Sequence, residues 1–139
     1  MLALKLVIDT NVLISAILNP LGNERAVLDF ALTAPAELYH SKEILEEYQQ
    51  VLSRPKFKID AKKIEKIIHL ITSRGQEIVT TSDINISQDS DDNKFLACAY
   101  DAKADYLITG NLKHFPTFWH RTKIVNARIF LTIIFPHLR

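Results

Sequence analysis

The chain has 139 residues, 47% hydrophobic and 24% charged, the proportions of an ordinary soluble domain, so one domain with a real core is expected over residues 1–139. Its 17 Lys and Arg against 16 Asp and Glu leave a net charge of +1, which excludes a polyanion binder acting by bulk charge alone. No apolar run is long enough to span a membrane, and the single cysteine, Cys98, has no internal disulfide partner; a reducing, cytoplasmic setting without membrane association is expected.

Residues 4–8, LKLVI, are almost continuously apolar and run straight into an acid, which reads as a strand buried on both faces rather than a signal peptide. Asp9, Thr10 and Asn11 follow at its end, residue types that serve a site or cap the helix expected over 12–18. A second helix is expected over 24–32, a short strand over 37–39 and a third helix over 44–52. In that third helix Ile44, Leu45, Tyr48, Val51 and Leu52 form the apolar stripe, Glu46 falls opposite it and Glu43 well outside it. Glu47 lies at its edge, between Ile44 and Val51. A carboxylate beside a core face is costly unless it is paired or bound to a cation, and this singles out Glu47.

Arg54, Lys56, Lys58, Lys62, Lys63 and Lys66 then stand against only Asp60 and Glu65, a pattern that fits either a solvated helix face, with a helix over 61–72, or a phosphate-contacting patch. A strand is expected over 77–79, and residues 83–92 hold four acids and no base. In the helix expected over 92–103, Phe95, Leu96, Ala99 and Ala102 face inward; Asp92 continues that stripe, while Asp91 lies to one side and suits the N-cap. The strand over 106–109 brings Thr109 and Asn111 to the same edge as Asp9, unless they only form a Gly-Asn turn. A last strand over 123–125 precedes a tail, 127–135, of helix or extended chain.

Strands separated by helices give an α/β fold of three layers, α/β/α and Rossmann-like, around a mostly parallel sheet of about five strands. Ligands of such sheets bind in the crevice outside the carboxyl ends of the strands, where Asp9, Glu47 and Asp92 converge. Crowded carboxylates repel and usually hold a cation. An all-oxygen donor set, without a second cysteine or a His-x-x-x-His spacing, favours Mg²⁺ or Mn²⁺ over Zn²⁺.

The segments VIDTNVLISA, SKEILEEYQQVLSRPKF and DSDDNKFLACAYDAKADYLITGNLKHFP, in this order and spacing, resemble the PIN-domain nucleases over nearly the whole chain. Within them the chain is most similar to the branch containing toxin components of prokaryotic toxin–antitoxin systems. The resemblance implies a PIN-like fold and makes Asp9, Glu47 and Asp92 metal-binding, catalytic acids. Family members often carry a fourth Asp where this chain has Asn111, which can still ligate but brings no charge, so one metal is expected rather than two. Asn11, Ser41, Asn93 and Thr109 become candidates to support the ligands. The implied reaction is endonucleolytic hydrolysis of RNA phosphodiesters, with Lys113, His114, Arg54, Lys56 and Arg121 as phosphate contacts. His114 could also act as a general acid. Trp119 and Phe118 would stack a base or pack in the core. An antitoxin protein that covers the acids and a homodimer, to which the apolar tail IFLTIIFP contributes, are the implied partners.

A phosphatase of the haloacid dehalogenase type needs an acid two residues after its first Asp, and Asn11 stands there; no GxGxxG follows the first strand for a dinucleotide. The remaining alternative is a catalytically weak or inactive PIN-like scaffold that binds RNA or a partner protein without cutting, an idea that Asn111 feeds.

Overall fold

The computed structural model describes residues 3–81 and 90–136. The chain runs β1 (Lys5–Ile8), α1 (Thr10–Leu18), α2 (Asn23–Ala31), β2 (Glu37–His40), α3 (Lys42–Leu52), α4 (Ala61–Arg74), β3 (Gln76–Glu77), α5 (Ser90–Ala102), β4 (Tyr106–Ile108), β5 (Phe118–Trp119), β6 (Thr122–Val125) and α6 (Ala127–Ile134). Short 3-10 turns at Pro55–Phe57 and Leu112–His114 follow α3 and β4. Residues 83–89 of the acidic run lie outside the described residues.

The strands form one sheet in the order β3-β2-β1-β4-β6-β5, parallel throughout except for β5, which pairs antiparallel with β6. Leu6, Val7 and Ile8 of β1 and Tyr106, Leu107 and Ile108 of β4 are all buried, so helices cover both faces of the central strands, as their unbroken apolar character requires. On one side α5 lies on β1, β2 and β4 and packs against α3, where Tyr48 meets Phe95. On the other, α2 packs against α6, where Phe130 takes the rings of Phe30 and Tyr106 edge-on. The three layers and mostly parallel sheet agree with the sequence expectation.

Three local differences have simple causes. The sheet has six strands rather than about five, because Phe118–Trp119 folds back on β6 over only two residues, too short to show alternation. The strand expected over 77–79 is Gln76–Glu77, and Val79 lies past its end and is exposed. The helix carrying Asp92 starts at Ser90, so Asp91 lies in its first turn and not at its N-cap. The tail is helical and amphipathic: Ala127, Phe130 and Leu131 are buried while Ile129, Ile133 and Phe135 are exposed.

One side chain ties the layers together at the end of β1. Tyr48, fully buried on α3, donates its hydroxyl to the carbonyl of Ile8. Burial holds its phenol far above the ordinary range, so it stays a neutral donor. A Tyr48→Phe variant should therefore lose about 1–3 kcal/mol of stability, measured by urea unfolding, since the buried carbonyl is left without this partner. Unchanged stability would mean the bond carries nothing net.

Candidate active site

The topology fixes where the polar residues gather. The chain leaves β1 for β2 on one side and later returns to β4 on the other, so the crevice between β1 and β4 is the switch point of the sheet. Asp9 ends β1 as the N-cap residue of α1, its backbone N–H bonded to the Ile108 carbonyl at 2.9 Å. Its side chain makes no cap bond; instead Oδ2 accepts from Thr109 Oγ1 at 2.7 Å. The Thr109 hydroxyl accepts in turn from the Asn111 N–H at 3.0 Å, which fixes the turn after β4. Asp9 is 4% exposed, and burial raises the pKa of its carboxyl. The Thr109 hydroxyl and the Thr10 backbone N–H oppose that rise; the charge of Glu47 adds to it and His114 subtracts a little.

Helix α3 brings Glu47 to the crevice, and the angular reading of that helix holds: Glu43 and Glu46 are exposed, while Glu47 is largely covered. Its Oε1 accepts from Lys94 Nζ at 2.7 Å, and its Oε2 accepts from the hydroxyl of Thr10. Asp92 is 9% exposed on the inward face of α5, one turn before Phe95 and Leu96, and its Oδ2 lies 3.7 Å from Nδ1 of His114. Electrostatic coupling thus links Asp9 to Glu47 and His114, and His114 to Asp92. Among the described residues no three acids or histidines already meet around one point. Glu47 takes an ammonium, from Lys94, and a hydroxyl, from Thr10, as its partners. Asp9, Glu47 and Asp92 carry only oxygen donors, the chemistry that hard divalent cations take.

The other candidates divide by position. Thr109 supports Asp9 directly. Ser41 instead caps α3, its Oγ accepting from the Ile44 N–H at 3.2 Å. Asn93 is buried beside Asp92, and Asn11 is exposed on the first turn of α1. Asn111 lines a cavity with Asn11 and Asn126, and the residue set against the acids is His114. Lys113 is exposed next to it. Arg54 and Lys56 are exposed around Phe57, whose ring lines the same cavity and lies 5.1 Å from the Lys56 ammonium. Lys62, Lys63 and Lys66 lie on the solvated face of α4.

One sequence expectation needs correction. Arg121 precedes β6 and pairs with Asp105 at 3.0 Å, at the amino end of the parallel strands and so at the far end of the sheet from the acids. Of the two roles expected for Trp119, packing is the one seen: its indole N–H donates to the Leu96 carbonyl at 2.9 Å. Sequence reasoning missed Lys94 and Thr10 as partners of Glu47. Both sit next to or near flagged acids, but which acid they meet depends on tertiary packing.

Residues 5–113 match the family model described as PIN domain. The chain belongs to the PIN-domain family. A relative, Uncharacterized protein MJ1680 of Methanocaldococcus jannaschii, is 37% identical over 111 residues, 78% of this chain and 71% of that protein. Among solved structures, the PIN fold of this chain is similar to VapBC2 from Rickettsia felis bound to a DNA fragment from its promoter, with TM-score 0.60 and 16% identity over 88% of this chain and 98% of that one. It is also similar to VapBC-1 from nontypeable Haemophilus influenzae, with TM-score 0.58 and 18% identity over 90% and 99% of the two chains. A third similarity is to FitAB bound to IR36 DNA, with TM-score 0.57 and 18% identity over 88% and 94%. At these identities the likeness is one of fold.

Proposed function

We propose that this PIN-domain chain is a Mg²⁺- or Mn²⁺-dependent endoribonuclease and the toxin component of a type II toxin–antitoxin pair. The observation that supports it most is the pair of buried acids, Asp9 and Asp92, with Glu47 facing them at the switch point of a parallel sheet. In this reading Asp9, Glu47 and Asp92 hold the metal, with Asn111 as a neutral fourth corner. Bound there, the ion would supply an activated water and offset charge on the phosphoryl oxygens. Thr109 fixes the rotamer of Asp9, and Lys94 balances the charge of Glu47. His114, exposed beside Asp92, is the group that can hand a proton to the leaving oxygen. Arg54, Lys56 and Lys113 receive the neighbouring phosphates.

The likeness to VapBC and FitAB assemblies supports a protein partner, an antitoxin that covers the acids with a basic side chain. The exposed apolar residues of α6 support a homodimer, and the absence of a membrane-length helix among the described residues is consistent with work in the cytoplasm.

The pairing of Glu47 with Lys94 favours the rival, a scaffold that binds RNA without cutting, and one experiment separates the two. Single-stranded RNA is incubated with the purified chain in Mg²⁺ or EDTA, alongside Asp92→Asn. Cleavage that needs Mg²⁺ and disappears in the variant is expected. Equal cleavage in EDTA or in the variant removes this mechanism, and tight RNA binding without cleavage establishes the scaffold.

A further inference from the structure

Beside the acids, and sharing Thr109 with them, a cavity of about 350 Å³ opens between α1, the first turn of α2, the Pro55–Phe57 turn, the turn after β4 and the start of α6. Its volume falls within the range of small-ligand pockets. Its lining is unusual for a site next to a carboxylate cluster. Among the described residues it contains Asn11, Ser15, Asn111 and Asn126, one carboxylate, that of Glu24, and Phe57, with no lysine or arginine. Asn126 uses its Oδ1 to cap α6 at 2.8 Å from the Ile129 N–H, which leaves its amide hydrogens as donors. Gly110 opens the rim: a Cβ added there would meet nothing within 4 Å.

This chemistry rejects a phosphate, which Glu24 would repel, and accepts a flat polar ring. Amide groups offer both donors and acceptors to a base edge, and an aromatic ring offers a face. Adenine, cytosine and guanine offer a carboxylate an exocyclic amino group, whereas uracil offers only its N3–H, flanked by two carbonyl oxygens that the carboxylate repels. The cations of Arg54 and Lys56 lie outside, around Phe57, where the backbone of a strand seated in the cavity would pass.

We propose that the cavity seats one unpaired nucleobase of the substrate strand, stacked on Phe57 and read by Glu24 and the asparagines, with preference for adenine or cytosine over uracil. The proposal rests on the nucleic-acid reading above and extends it to a specificity-determining subsite.

The test is binding, so that it does not depend on cleavage. Fluorescence anisotropy is measured with end-labelled hexanucleotides of adenylate, cytidylate and uridylate in EDTA, where no strand is cut. The wild-type chain should hold adenylate and cytidylate tighter than uridylate by about fivefold or more, a difference that Glu24→Gln should largely remove. Phe57→Ala should weaken every hexanucleotide by about fivefold or more, with Phe57→Leu as the variant that keeps core volume but not the stacking face. Equal affinities for the three strands in the wild type, or a preference that survives Glu24→Gln, overturns the subsite. If the preference is present and responds to Glu24→Gln while Mg²⁺ produces no cleavage, the subsite stands and the nuclease reading falls.

Discussion

Asp9→Asn should abolish cleavage and at the same time raise the melting temperature of the metal-free protein. The carboxylate is 4% exposed, with Glu47 adding repulsion, and its hydrogen bonds come from one hydroxyl and one backbone N–H. Those two donors do not replace the hydration that burial removes, which is why the carboxyl's pKa is raised despite them. Asparagine has nearly the same shape, and its Oδ1 can still accept from Thr109, so the variant sheds the buried charge without opening a cavity. A gain of roughly 1 kcal/mol corresponds to about 3–6 °C in a domain of this size. Activity should fall by about a hundredfold or more, because even the outer partners of metal ligands are worth about 10–100-fold. Scanning calorimetry in EDTA and RNA cleavage in Mg²⁺ read the two halves separately. A lower melting temperature would mean that Asp9 is held mainly for structure; unchanged cleavage would remove it from the chemistry.

That trade of stability for charge explains how much of the site could be read from sequence. Glu47 and Asp92 stood out because a helix fixes the angle of every side chain, and an acid on the apolar side is visible without a structure. Both lie where the projection put them. Asp9 and Thr109 were legible from strand polarity, since β1 and β4 are parallel neighbours whose carboxyl ends share one crevice. The same argument, applied to Arg121, would have removed it: a residue just before a parallel strand belongs at the opposite end of the sheet. The links between elements were not legible. Lys94 meets Glu47 across 47 residues and His114 turns to Asp92, contacts decided by how α3, α5 and the turn after β4 pack. No local periodicity encodes them. The same limit hid the cavity, whose walls come from five separate segments.

His40 should make the fold acid-labile below pH 6.5, and His40→Leu should remove much of that lability. The residue ends β2 directly before Ser41, the cap of the helix that carries Glu47, and it is 0% exposed. Neither ring nitrogen has a partner of hydrogen-bond geometry among the described residues. The ring packs closely on Gly75, where an added Cβ would stand 2.9 Å from its Cδ2. Burial lowers its pKa from the ordinary 6.5, while the nearby Glu77 carboxylate and Ile71 carbonyl oppose the shift without cancelling it. The folded chain therefore binds this proton more weakly than the unfolded chain does. The associated stability is present above pH 6.5 and is lost as the pH falls below that value toward the lower folded pKa. Leucine takes no proton and leaves no unpaired nitrogen, so the variant should gain about 1 kcal/mol or more at pH 7.5. Its advantage should widen as the pH falls to 5. Urea unfolding of both proteins across that range measures the difference directly, with the carboxylates common to both cancelling. A gap that stays constant with pH would mean that the imidazole finds a partner in solution and carries its proton in the folded state. The lesion would be felt at the site as well, because an acid-loosened β2 frees the start of α3 and with it the position of Glu47.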